Sequence, residues 1–130
     1  MPKKHFFTIL FISWMVIITL FSLFSFPDDV TGGIDIAHMD KMVHFTFHCV
    51  LVVLGILAYK ERKGQTFKIG WAITQFFVFS LVYGIIIEVL QYYMPFDRSA
   101  EFWDVLANLS GALVGILLIK KYLSLTDALK

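Results

Sequence analysis

The chain has 130 residues, of which 58% are hydrophobic, 14 are Phe and only 16% are charged, with a formal net charge of +1 and a mean hydropathy of +0.77. A soluble domain carries about 25% charged residues, so this composition excludes an ordinary water-soluble enzyme or binding module. The charges also gather in short clusters, separated by apolar stretches of about 20 residues, the length a helix needs to cross a bilayer.

Four such stretches predict an all-α, polytopic membrane protein: a single domain over residues 1–130, built as a bundle of four transmembrane helices. The first covers about residues 6–26, "FFTILFISWMVIITLFSLFSF", after the basic opening "MPKKH". A signal-peptide apolar region spans roughly 7 to 15 residues and ends in a small-x-small site, whereas this one keeps Phe and Leu up to Phe26-Pro27; it reads as a retained anchor. Pro27, Gly32 and Gly33 then break the chain before a second span at about 41–59. The basic turn "YKERKGQTFK" leads into a third at about 69–94. Pro95 stops that helix and Ser99 is a candidate N-cap for the fourth, at about 101–119.

Simple alternation of the helices puts Lys3, Lys4, Lys60, Arg62, Lys63, Lys68, Lys120, Lys121 and Lys130 on one side and only Lys41 and Arg98 on the other. By the positive-inside rule both termini are then expected in the cytoplasm, with the 27–41 and 95–100 segments facing outward. Most acids fall on the outer side: Asp28, Asp29, Asp35, Asp40, Asp97 and Glu101, with Glu88 and Asp104 just inside the membrane.

Glu88 stands in the otherwise apolar run "YGIIIEVLQYY", where a charged side chain is costly unless it meets a polar partner or a wet cavity. Helical phase supplies partners. Lys41, His44 and His48 share a face of helix two, as do Gly84, Glu88 and Gln91 on helix three and Asp104, Asn108 and Gly111 on helix four. Ala107, Gly111 and Gly115 form a small-xxx-small ladder, which could serve internal packing or self-association into a homo-oligomer. The short 95–100 connection makes helices three and four antiparallel neighbours. Helices two and four both begin at the outer side, so their N-terminal N–H groups, with Lys41 and Arg98, could hold a phosphate or carboxylate.

The set Asp40-Lys41-x-x-His44, Glu88-x-x-Gln91, Arg98 and Asp104-x-x-x-Asn108-x-x-Gly111-Ala112-x-x-Gly115, spanning residues 40–115, resembles the motifs of the VanZ-like family of bacterial membrane proteins. The resemblance implies a small multi-pass protein of the bacterial cytoplasmic membrane, acting in the cell envelope. Its namesake is linked to low-level resistance to teicoplanin, a lipoglycopeptide antibiotic that targets cell-wall precursors.

Two functions compete for the same pocket. In the first, a binder uses Asp40, Lys41, Gln91, Arg98, Asp104 and Asn108 to hold an anionic lipid headgroup, a lipid-linked wall precursor or a lipoglycopeptide. In the second, a membrane enzyme modifies such a lipid, with Glu88 as general acid or base, His44 as second proton-transfer group and Arg98 stabilising developing negative charge. On the outer half no serine or cysteine stands at an obvious spacing from the histidines, Ser99 and Ser110 being the nearest candidates, which slightly disfavours covalent catalysis. Transport is disfavoured because the polar residues cluster at one end and the inner halves of the helices are apolar. No nucleic-acid partner and no cofactor are expected. His38, Asp40, His44, His48, Glu88 and Asp104 are metal-ligand types, but without a compact pattern such as H-E-x-x-H no metal site is assigned.

Structural roles stand beside each functional one. Glu88 could pair with Arg98, Lys41 or a protonated His44. His48, one turn deeper than His44, could simply bond a hydroxyl or carbonyl. Asp104 suits a helix N-terminus and Asn108 a bond between helices. Tyr92, Tyr93, Phe102 and Trp103 read as an aromatic belt, and Cys49, the sole cysteine, as a packing residue.

Overall fold

Within a bilayer each backbone N–H and C=O must find its partner inside its own segment, so apolar runs of this length fold as helices. The computed structural model describes residues 5–24, 36–94 and 101–130, the stretch 36–39 through its backbone alone. It contains α1 (Phe6–Leu23), α2 (Ile36–Lys63), a 3₁₀ turn at Gly64–Thr66, α3 (Ile69–Tyr93) and α4 (Phe102–Ala128). All four helices are long and apolar enough to cross a membrane, and the described residues include no strand.

The observed helices depart from the predicted bounds in an instructive way. α1 ends at Leu23, three residues early. α2 begins five residues before Lys41 and continues to Lys63, through half of the expected basic turn. Lys60, Arg62 and Lys63 occupy its last turn, where cations meet the negative end of the helix dipole, so these charges favour the helix they were expected to interrupt. α4 runs nine residues past Ile119, because Lys120 and Lys121 face outward while Ile119 and Leu123 stay buried. At 1.5 Å per residue, α2 and α4 are each about 40 Å long, more than the roughly 30 Å hydrocarbon core. Hydropathy measures the part that crosses lipid, and helicity continues beyond it.

The reversal between α2 and α3 falls on Gly64, whose φ of +52° is the one positive value among the described residues; a side chain there would be strained. Glu101, not Ser99, takes the N-cap position of α4, without a side-chain cap bond. Ser99 and Arg98 lie outside the described residues.

α2 is the hub, packing most extensively on α4 and also on α1 and α3. Small residues make this possible. A Cβ on Gly111 would stand 2.8 Å from the carbonyl carbon of Phe45 and closer still to its oxygen, and one on Gly115 would stand 2.5 Å from the carbonyl oxygen of Cys49. The glycine ladder of α4 is therefore spent inside the bundle against the α2 backbone. Beneath it Val52, Ile56, Ala72, Ala112, Ile119 and Leu123 form the apolar core.

α1 is tied on by polar contacts at three levels. The Glu61 carboxylate accepts the backbone N–H groups of Phe6, Phe7 and Thr8 at 2.9, 3.1 and 3.2 Å, satisfying three of the four donors that a helix start leaves open. Midway, the Trp14 indole N–H donates to the Phe47 carbonyl at 3.0 Å and the Tyr83 hydroxyl to the Met15 carbonyl at 2.9 Å. Near its C-terminal end, the Gln91 amide donates to the Ser22 carbonyl at 2.7 Å.

Candidate functional site

The three polar stripes converge where α2 and α4 begin and α3 ends. His44, Glu88, Gln91, Asp104 and Asn108 are all at most 6% exposed. The i, i+3/i+4 spacings put them on inward faces, and Gly84 lets α3 approach: a Cβ there would meet Asn108 Nδ2 at 2.8 Å and His48 Cε1 at 3.1 Å.

His44 is the centre. Its Nδ1 lies 3.1 Å from Asn108 Oδ1, and a carbonyl oxygen can only accept, so Nδ1 carries the proton in this bond. Nε2 then faces Asp40 Oδ1 at 3.8 Å and Asp104 Oδ2 at 3.9 Å, while Glu88 Oε1 lies 4.0 Å from Nδ1. Three carboxylates thus surround one imidazole.

Lys41 lies at the rim. Its ammonium donates to Glu101 Oε2 at 2.9 Å and approaches Asp104 Oδ1 at 3.6 Å, so its charge is already matched. Glu88 has no such partner. Both its oxygens are buried without a hydrogen bond, as are Gln91 Oε1 and Asp104 Oδ1. Leaving a buried polar group unsatisfied costs about 1–3 kcal/mol, and more for a charged one.

The predicted site residues therefore divide. Asp40, Lys41, His44, Glu88, Gln91, Asp104 and Asn108 come together; Arg98 and the His38 side chain lie outside the described residues. His48 is apart from the cluster, its Nδ1 bonded to the Ser80 hydroxyl at 2.7 Å, the structural role open to it from the sequence. Cys49 is half-buried and free. Tyr92, Tyr93, Phe102 and Trp103 are exposed around the same end, as an aromatic belt requires.

A family model described as VanZ/LLP1 matches residues 5–125. The chain belongs to the VanZ/LLP1 family. The match takes in α1, α2, α3 and all but the last three residues of α4, and hence the whole polar cluster. No curated protein and no solved structure matches the chain.

Some partners in this VanZ/LLP1 site escape sequence reasoning. Glu101 was visible as an outer acid, but its pairing with Lys41 depends on how α4 lies against α2. The Ser22 carbonyl, which holds Gln91, carries no signal at all, since every residue has a carbonyl.

Proposed function

We propose that the protein is a headgroup-binding protein of the bacterial cytoplasmic membrane, with its polar end on the outer side, and that its ligand is a lipid-linked cell-wall precursor. The observation that carries this reading is the set of buried acceptor oxygens on Glu88, Gln91 and Asp104 that lack donors. A headgroup of sugars and peptide supplies hydroxyl and amide donors to them. Its phosphates would be met by the N-terminal N–H groups of α4 and, on the sequence expectation, by Arg98. A simple phospholipid brings phosphate but few donors, and so satisfies less of the site. The outward orientation is supported by the basic residues at the opposite helix ends, among them Lys60, Arg62, Lys63 and Lys68. Binding of a wall precursor, or of the lipoglycopeptide that targets it, would also give the protein a part in teicoplanin tolerance.

The test is native mass spectrometry of protein offered a polyprenyl-linked disaccharide-peptide, phosphatidylglycerol and phosphatidylcholine. The precursor should be retained preferentially, and Glu88→Gln and His44→Gln should abolish the preference while the protein stays folded. Equal retention of all three lipids would overturn the proposal.

One observation favours an enzymatic second reading: the unpartnered Glu88 carboxylate lies 4.0 Å from the His44 imidazole, within reach of a shared proton through one water. Cells carrying the wild-type protein would then accumulate a modified envelope lipid that is missing with Glu88→Gln. Identical lipid profiles would exclude it.

A further inference from the structure

The described residues of the polar end hold four carboxylates (Asp40, Glu88, Glu101 and Asp104) and one ammonium, Lys41, with two of the carboxylates on Lys41 and three around His44. Lys41 engages Glu101 and only one oxygen of Asp104. The other Asp104 oxygen, with Asp40 Oδ1, is turned to His44 Nε2. One ligand atom from each of Asp40, His44 and Asp104 lies within 4.8 Å of the others.

We propose that Asp40, His44 and Asp104 bind a first-row divalent cation, with Zn²⁺ preferred over Mn²⁺. The inference does not rest on the headgroup reading, because the ion would bind without lipid.

Four features support it. First, the donor set fits: one imidazole nitrogen and two carboxylate oxygens are ligands for zinc or manganese, and affinity for a mixed N/O site rises from Mn²⁺ to Zn²⁺. Second, the spacing is close. Ligand atoms about 2.1 Å from a tetrahedral ion stand about 3.4 Å apart; Nε2 to either carboxylate is 3.8–3.9 Å and all three ligand atoms lie within 4.8 Å, so an ion needs side-chain movements of at most about 1 Å. Third, the tautomer is set. The Nδ1–H bond to Asn108 leaves the Nε2 lone pair directed at the carboxylates, as an outer carboxamide does for a ligating histidine. Fourth, Glu88, beside His44, has both oxygens buried without a hydrogen bond, while Asp104 Oδ1 has only the Lys41 ammonium at 3.6 Å. Unpaired buried acids are what a missing positive charge leaves behind. With three protein ligands the ion keeps a coordination position for water or a ligand oxygen, and half-exposed Asp40 leaves the way in open.

The experiment uses full-length protein purified through a tag without histidines, stripped with chelator and held in nanodiscs of zwitterionic lipid. Zn²⁺ alone should titrate to one ion per chain by calorimetry. X-ray absorption should report a nitrogen and oxygen shell with one imidazole and no sulfur. His44→Gln and Asp104→Asn should each weaken binding by more than 100-fold, and Asn108→Ala by about 10-fold; His5→Gln, at the far end, should change nothing. No saturable binding to the wild type would overturn the proposal, a result independent of any variant's folding. A sulfur ligand from Cys49, or affinity unchanged in His44→Gln and Asp104→Asn, would also overturn it.

Discussion

Replacing Gly111 by alanine should separate α4 from α2 and dismantle the polar site together with the fold. The new Cβ would lie 2.8 Å from the carbonyl carbon of Phe45, whereas carbon atoms pack at about 3.5–4.0 Å. The two helices must part by at least about 0.8 Å, since the obstacle is backbone and the Phe45 carbonyl oxygen lies closer than its carbon. The same separation stretches the His44–Asn108 bond, now 3.1 Å, to about 3.9 Å, past any useful hydrogen bond. Overpacking costs about 1–3 kcal/mol, and the orphaned buried imidazole and amide another 1–3 kcal/mol. The gain in helix propensity returns about 1 kcal/mol, leaving a net loss of about 1–5 kcal/mol and a melting temperature lower by on the order of 10 °C. Cys49 provides the assay, as the only cysteine and a half-buried one: a fluorogenic thiol dye reports unfolding in detergent. Gly115→Ala, 2.5 Å from the Cys49 oxygen, should also destabilise, and Gly84→Ala less, because it presses on the movable Asn108 side chain. Gly70→Ala, with nothing within 4 Å, should be neutral or stabilising by up to about 1 kcal/mol. A Gly111→Ala protein as stable as the wild type, or less harmed than Gly70→Ala, would refute the reasoning.

Two further outcomes follow from single contacts. Glu61→Ala removes the acceptor for three N–H groups at the start of α1 and should cost about 1–2 kcal/mol, read as a lower melting temperature with ligand binding at the opposite end intact; Glu61→Gln should restore part of the loss. Ser80→Ala leaves His48 Nδ1 buried without its hydroxyl partner and should cost about 1–3 kcal/mol, again without changing retention of precursor or metal, whereas a loss of binding would move His48 into the site.

The convergence of Glu88, His44, Asp104 and Asn108 was readable from the sequence because membrane burial leaves polar residues little choice of direction. An ionisable side chain in an apolar run must turn inward, and a spacing of three or four residues tells which neighbours turn with it. Helix ends were less readable, since α2 and α4 continue past the apolar stretch that reveals them and a cluster such as Lys60–Lys63 stabilises a helix C-terminus as readily as it marks a turn. Pairings between distant segments were hidden. Glu61 caps α1 across 55 residues, and Lys41 reaches Glu101 across 60, distances at which no periodic pattern operates. Short loops likewise argue for α3 beside α4, yet α2 and α4 share the larger interface, because Gly111 and Gly115 allow their backbones to touch.

The most direct measurement of the central claim is a cryo-EM map of the full-length protein in lipid nanodiscs, resolved well enough to place the Glu88 carboxylate. It should lie beside His44, Asp104 and Asn108, with a non-protein group in contact with the acceptor oxygens that have no donor of their own. A carboxylate turned outward into acyl chains, away from those three residues, would contradict it.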